Sequence, residues 1–544
     1  MPAQLSEEFD YVVVGSGAAG AIVASRLSED PSVTVCLLEA GQRNWSPWLH
    51  IPAGFIKVVK DPAWTWQFAA EPSARTAQRA IALPQGRTLG GTTSINGLIY
   101  NRGQAEDYLA WSALGVRGWT YADVLPYFKR SERWVGGGDS EFHGRDGNIA
   151  VSRSPWRSTI CDAFIEAAQE QGVPGNDDYN GATQAGAGYF QRTIDGRWRS
   201  SVANTYLKQA RGRPNLSIRT QARAQALIFG MADEPKRVTG VAYVRAGHKA
   251  QVRARREVVV SCGALNTPRL LELSGIGDPL RLAAAGLPLR HALSGVGENL
   301  ADHYGVRVVA RVKTATTINQ MTRGAGLLRE IGRWLLNRPN VLAVSPSIVH
   351  WFAMSAHADG RPDLQGVFTP ASYKDGAIGV LDDFPGVTAG VWPHRPRSRG
   401  SVHVQSPDPA QPPRIEANYL SHELDRAVLV DGIRKARAIL RGPALRPYFV
   451  EETMPGQVGD SDDELLDFAA RYGASAQHLV GTARIGTAAD PAAVVDERLR
   501  IIGLTGVRIA DASIIPQTPS ANTCAAAMMV GERAADMIRE DGRR

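Results

Sequence analysis

Disulfide chemistry has little to work with in this chain. Its four cysteines, Cys36, Cys161, Cys262 and Cys524, stand far apart, and no two form a CxxC pair. That spacing argues against both a disulfide framework and a thiolate zinc site. Cys36, inside an apolar run, reads as a small buried hydrophobe. No stretch reaches the roughly 18 consecutive apolar residues of a membrane-spanning helix. The opening MPAQLSEEFD lacks the basic and apolar blocks of a signal peptide, so a cytoplasmic location is expected. Self-similarity at a fixed period is missing, which excludes a solenoid or propeller. The net charge of +7 comes from scattered arginines. Without a basic stripe and interleaved aromatics, no nucleic-acid partner is expected.

What is present is the composition of a globular protein, 44% hydrophobic and 21% charged. A chain of 544 residues exceeds one ordinary core. Near its start, the apolar run Tyr11–Val14 meets Gly15-Ser-Gly17-Ala18-Ala19-Gly20. A helix-like stretch follows, then a second apolar run ending at Glu39. Strand, glycine turn, helix, strand and acid in this order form a dinucleotide-binding βαβ unit. Gly15 permits the tight turn, Gly17 lets backbone approach a pyrophosphate, and Gly20 lets helix and strand pack closely. The helix start offers N–H groups to phosphates. Glu39 can accept hydrogen bonds from ribose hydroxyls. This unit alone leaves NAD and FAD open.

A second strand–turn–helix is expected at 257–273, where Glu257-Val-Val-Val runs into a glycine turn. From about 305 to 455 the texture shifts to alternating segments with aromatics and prolines, which predicts a mixed domain with a largely antiparallel sheet. The expected fold is α/β, a Rossmann-type cofactor domain interrupted by a mixed α+β substrate domain. The expected division is 1–155 (cofactor domain, first part), 156–214 (connecting or substrate segment), 215–310 (cofactor domain, second part), 311–460 (substrate domain) and 461–544 (cofactor domain, C-terminal part). Leu327, Leu328, Ile331, Trp334 and Leu335 have helical spacing. A helix packed on its own domain is the preferred reading, and a lid or a peripheral membrane contact the alternative.

Further motifs carry a family resemblance. They are Gly86-Arg87-Thr-Leu-Gly90-Gly91-Thr92-Thr-Ser-Ile95-Asn96, Gly263-Ala-Leu-Asn-Thr267-Pro268, Gly295-Val-Gly297-Glu-Asn299-Leu-Ala-Asp302-His303, His478-Leu-Val-Gly481-Thr482, and Asp511-Ala512-Ser513 with Asn522-Thr523. Together they closely resemble the glucose–methanol–choline (GMC) oxidoreductases, FAD enzymes, over essentially the whole chain. The chain looks most like the bacterial alcohol and choline dehydrogenase branch.

The resemblance implies an FAD enzyme oxidising a primary alcohol to an aldehyde, with a quinone-type acceptor or oxygen taking the electrons. His478 is the implied base, a role suited to an imidazole. Asn522 is the implied partner that orients the alcohol. An amide can hydrogen-bond the substrate oxygen but cannot take its proton. His303 is implied to be structural. The FAD contacts implied are Gly15, Gly17, Ala18, Ala19, Gly20, Glu39, Ala40, Arg87, Gly90, Gly91, Thr92, Asn96, Gly97, Ala224, Asp511, Ala512 and Thr523. Gly90, Gly91 and Thr92 are expected to start a helix, and small Gly97 to leave room beside the flavin. Covalent members carry histidine where this chain has Ile95, so noncovalent FAD is implied. Trp66, Phe352 and Phe368 are the candidate substrate-pocket aromatics, with Trp64 and Trp392 as weaker ones.

The chain departs from its branch after Asn522-Thr523, where Cys524-Ala525-Ala526 replaces Asn-x-Pro. A quaternary ammonium wants an aromatic cage and a carboxylate, and few acids fall in the implied site segments. An uncharged alcohol is therefore expected over choline. An oxygen-using oxidase of the aryl-alcohol or hydroxymethylfurfural type and a non-redox hydroxynitrile lyase remain alternatives.

Overall fold

The computed structural model describes residues 7–137, 141–374 and 380–543. The strand Glu7–Val14 is apolar from Tyr11 onward, and those residues are buried. Such a run suits a strand covered on both faces. It lies between Val35–Leu38 and the C-terminal half of His248–Val260, parallel to both. Leu216–Arg219 extends the parallel set on one side, and Val507–Ile509 extends it on the other by pairing with Val258–Val260.

The N-terminal half of His248–Val260 has a different pattern. It sets polar and charged residues between Ala250, Val252 and Ala254 and pairs antiparallel with Val238–Arg245, which pairs antiparallel with Ala222–Phe229. One strand thus serves a doubly covered parallel set and a half-solvated meander within one seven-stranded sheet. Helices Gly20–Leu27 and Cys524–Asp541 pack against each other beside it.

The second seven-stranded sheet is antiparallel throughout. Its order is Phe449–Met454, Tyr304–Val312, Gly386–Pro393, Leu364–Thr369, Val349–Ala353, Gly186–Tyr189, with Ala474–Ser475 on the start of Tyr304–Val312. Helix Glu423–Leu440 buries Val428, Leu429, Ile433, Ala436 and Ile439 against this sheet, an apolar stripe at helical spacing. Each fully buried branched side chain there contributes about 1.5–3 kcal/mol of hydrophobic stabilisation. The architecture is the expected α/β class, a Rossmann-type parallel sheet joined to a mixed domain on an antiparallel sheet.

Two local expectations need correction. Gly91–Ser94 is a single 3-10 turn and opens no longer helix. Helix Gly324–Leu335 forms as its periodicity predicts, but Leu328, Ile331 and Leu335 face solvent while Glu330 is buried. The period locates an apolar face without saying which way it turns. Among the described residues, no helix is long and apolar enough to cross a membrane, and no His/Cys/Asp/Glu group could hold a metal ion.

Candidate active site

A single cleft of about 1780 Å³, counting its open mouth, gathers most of the motif residues. The first glycine turn forms part of its wall. Gly15 has φ of +98°, and a Cβ there would stand 2.3 Å from the Ser261 carbonyl oxygen. At Gly20 a Cβ would stand 2.0 Å from the Gly15 carbonyl oxygen, so the helix seats directly on the turn. Gly17 is the opposite case, since a Cβ there would meet nothing within 4 Å. Its open side belongs to the cleft, where a ligand can approach bare backbone. No side chain caps the start of Gly20–Leu27. Ala21 N and Val23 N already donate to the Gly17 and Ala19 carbonyls, so it is the turn ahead of the helix that offers its backbone, with the helix dipole behind it, to an anionic ligand.

Glu39 ends the second strand, buried beneath this turn. Its carboxylate accepts from Ser16 N (3.1 Å), Ser16 Oγ (2.6 Å) and Gly41 N (2.7 Å). Burial pushes its pKa up, and these hydrogen bonds oppose the shift. Asp511 does similar work at the second glycine turn. It accepts from Gly263 N (2.9 Å), Thr267 Oγ1 (2.6 Å) and Ser513 N (2.8 Å), tying Gly263–Leu273 to the end of Val507–Ile509.

His478 and Asn522 reach the same cleft on loops far apart in the chain. His478 Nε2 lies 3.0 Å from Asn522 Nδ2, and His478 Nδ1 lies 2.9 Å from His303 Nδ1. His303 Nε2 is 2.7 Å from the His394 carbonyl oxygen. A carbonyl only accepts, so His303 Nε2 carries the proton, and in a neutral ring its Nδ1 is then an acceptor. His478 must therefore donate from Nδ1, which leaves the lone pair on Nε2. Asn522 donates its amide N–H to that lone pair and accepts at Oδ1 from Gln365 Nε2 (3.0 Å). Gln365 Oε1 in turn accepts from His394 Nε2 (3.0 Å). Every contact has one donor, and the ring of bonds closes in one sense.

Burial keeps these imidazoles neutral. It pushes His303 down to about 4 and, with the neighbouring His303, holds His478 well below the usual histidine range. His394 is held well below that range by burial and the neighbouring His303 and Arg395. Asp302 fixes the backbone, its Oδ1 accepting from His478 N (2.7 Å) and its Oδ2 from Tyr419 Oη (2.7 Å). Burial raises Asp302 to about 6.

Of the residues expected at the site, Gly15, Gly17, Ala18, Ala19, Glu39, Ala40, Gly91, Thr92, Asn96, Gly97, Ala224, Asp511, Ala512, Thr523, His478, Asn522 and Trp66 line the cleft. Gly20 and Gly90 stand behind it, packed on neighbouring backbone or side chains. Arg87 also stands outside the lining, with its guanidinium 4.8 Å from the centre of the Trp66 ring. Phe368 is no pocket residue, because it stacks on Phe164 at 4.1 Å within the second core. Phe352 is likewise fully buried, behind His394 at 5.4 Å. The sequence reading missed Gln365 and His394, which no local motif marks, and gave His303 no link to His478. Ser261, Cys262 and Asn266 also line the cleft, on the second strand–turn–helix that the glycine turn did signal.

The chain belongs to the GMC oxidoreductase family, whose N-terminal model matches residues 9–305 and whose C-terminal model matches 396–531. Within that class it is 37% identical to an oxygen-dependent choline dehydrogenase of Brucella anthropi, over 98% of this chain and 95% of the relative. It is 36% identical to an alcohol dehydrogenase [acceptor] of Pseudomonas putida, over 97% and 95% of the two chains. Among solved structures, pyridoxine 4-oxidase from Mesorbium loti superposes with a TM-score of 0.87 at 29% identity, covering 98% of this chain and 99% of that one.

Proposed function

We propose that this protein oxidises an uncharged primary alcohol to the aldehyde with noncovalent FAD and with His478 as base. One observation carries the reading. The His478 Nε2 lone pair, fixed by the polarity of its hydrogen bonds, opens on the cleft that also holds the dinucleotide-type glycine turn. When bound, FAD supplies the hydride acceptor. The open backbone at Gly17, the uncapped helix start and the Glu39 carboxylate fit its ADP portion, and Asn96, Gly97 and Thr523 fit its flavin portion. Ile95 lines the cleft without a nucleophilic atom, which supports a dissociable cofactor.

The alcohol hydroxyl takes a place between Asn522 and His478. The hydroxyl displaces the Asn522–His478 hydrogen bond, so that Asn522 Nδ2 donates to the alcohol oxygen instead and the freed His478 Nε2 lone pair receives the proton. His478 Nδ1–H stays bonded to His303 throughout, so the ring cannot turn its lone pair away. Such a positioned base contributes about 10²- to 10⁴-fold in rate. The only carboxylates among the described lining residues are Glu39 and Asp511, both held by turns of the first sheet. Asp302, the acid next to His478, faces its backbone N–H and does not line the cleft, so a neutral alcohol fits better than a quaternary ammonium. Gln365 and His394, which orient Asn522, come from the segment 311–460 expected to bind substrate. Electrons leave to a quinone-type acceptor.

The test is anaerobic mixing with a panel of aliphatic and aromatic alcohols. Bleaching of the flavin spectrum by a primary alcohol is expected, and equally fast bleaching in His478→Ala would overturn the mechanism. Slow reoxidation on admitting air is expected for a quinone-linked enzyme, and fast reoxidation would make it an oxidase.

A further inference from the structure

Helix Gly324–Leu335 is built inside out. The buried Glu330 carboxylate accepts from Val341 N (3.0 Å) and Arg333 Nη1 (3.2 Å). Leu328 is 71% exposed, Leu335 61% and Leu336, just past the helix, 69%. Leucine turned to water forgoes its burial energy, and a carboxylate turned inward must be desolvated. Both costs make sense if something apolar covers the leucines.

The surroundings say what that is. Trp334 meets Trp198 edge to face at 4.9 Å, and Arg197 Nη1 donates to the Trp334 and Leu335 carbonyls. These contacts tie the helix end to a groove whose walls include Arg43, Trp45, Arg197, Lys208 and Arg211. Trp45 is 73% exposed and Trp198 41%. The groove's one carboxylate among the described residues, Asp195, is paired with Arg133 at 2.7 Å. The buried Arg199 also borders the groove and has Nε and Nη2 without partners, which adds positive charge beneath it. On the helix itself, Arg329 flanks the leucines with its side chain 69% exposed.

We propose that this face docks on an anionic lipid surface. Leucines suit the acyl boundary, indole rings suit the interface, and the cations suit lipid phosphates. A second copy of the chain fits less well, because a two-fold contact would set the same cations against each other. The position also gives the docking a use. The chain leaving this helix reaches Ser345, whose Oγ donates to the Gly97 carbonyl at 2.7 Å, and Pro346, which packs on Gly97. Gly97 lines the cleft. A lipid-dissolved alcohol or quinone would thus be delivered beside it, a use that rests on the alcohol-oxidation reading, although the docking itself does not.

The experiment is co-sedimentation of the FAD-loaded enzyme with phosphatidylcholine vesicles, with and without phosphatidylglycerol. Binding is expected only to the anionic mixture and should weaken as salt rises. The double variant Leu328→Asp, Leu335→Asp should lower the bound fraction about tenfold, and Arg43→Glu with Arg329→Glu should lower it as well. Flavin reduction by a water-soluble alcohol should stay unchanged in both. Absence of binding to anionic vesicles, or binding unaffected by the leucine variant, overturns the proposal. So does a dimer that the leucine variant converts to monomer without any vesicle binding. Because binding is read without turnover, failure of the docking and failure of the alcohol-oxidation reading are separate results.

Discussion

The two halves of the cleft are made in opposite ways. Around Gly15–Glu39 the wall is backbone from one contiguous βαβ unit, and the essential property is the lack of side chains. Around His478 the wall is the side chains of His478 and Asn522, held from behind by residues 303, 365 and 394, and the essential property is the direction of each hydrogen bond. A cofactor handle can be encoded locally because phosphate recognition needs only oriented N–H groups and room. A base needs its proton on a specified nitrogen, and here that is specified by partners scattered over the sequence.

Substitutions that separate the halves should do so with graded effects. The largest is expected for His478→Ala, which should slow anaerobic flavin reduction about 10³-fold, or about 4 kcal/mol, while FAD content stays normal. Loss of FAD in that variant would show that the two halves are not independent. Gly20→Ala should act the other way. Its Cβ would press on the Gly15 carbonyl, so a destabilisation of about 3 kcal/mol is expected, seen as a lower Tm and loss of bound FAD. A smaller effect is expected at the positioning residue His303. In His303→Ala the His478 Nδ1–H loses its acceptor, and flavin reduction should slow about tenfold, or about 1.4 kcal/mol. His303→Asn, whose amide oxygen can accept at the same place, should recover part of the rate. Equal rates in the two variants would show that His303 only fills space.

Acidity probes the buried histidines. His303 is held down to about 4 and His350, buried among Tyr179, Phe190 and Phe352, to about 3. Both ionise near 6.5 when unfolded. As pH falls below about 6.5 the unfolded chain takes up protons that the native one refuses, so stability declines until the folded values are reached. Each such histidine contributes up to about 1.4 kcal/mol per pH unit in that window. Asp302, raised to about 6, opposes them between about 4 and 6, where the native state holds the extra proton. Urea unfolding at stepped pH should show a net loss from 6.5 downward. The acid limb of kcat/KM should also fall below 6.5, because His478 resists protonation. A limb at or above 6.5 would contradict a neutral, buried base.

Much of this was legible in the sequence, and the boundary is physical. The glycine turns, Glu39, His478 and Asn522 sit in contiguous patterns whose spacing survives in one dimension. Gln365 lies inside ordinary strand text and His394 just past the end of another strand, and they acquire meaning only when Leu364–Thr369 and Gly386–Pro393 pair side by side. Phe352 and Phe368 failed as pocket residues because an aromatic in an alternating strand faces either way, and Phe368 faces Phe164. The Gly324–Leu335 helix was readable as a helix, but its buried Glu330 depends on the Val341 N–H, eleven residues on.

The last parallel strand, Val507–Ile509, carries a consequence for how the molecule is made. It completes the first sheet beside Val258–Val260, and Asp511 just beyond it clamps the Gly263 turn. Asn522 and the helix that packs on Gly20–Leu27 come later still. During synthesis, then, the ribosome releases the closing pieces of the cleft long after the βαβ unit they cover. Until the segment 507–541 emerges, the early βαβ unit stands with one side open. Cofactor capture is thereby tied to synthesis of residues 507–541, and a translation product truncated before them should leave the ribosome without a finished site.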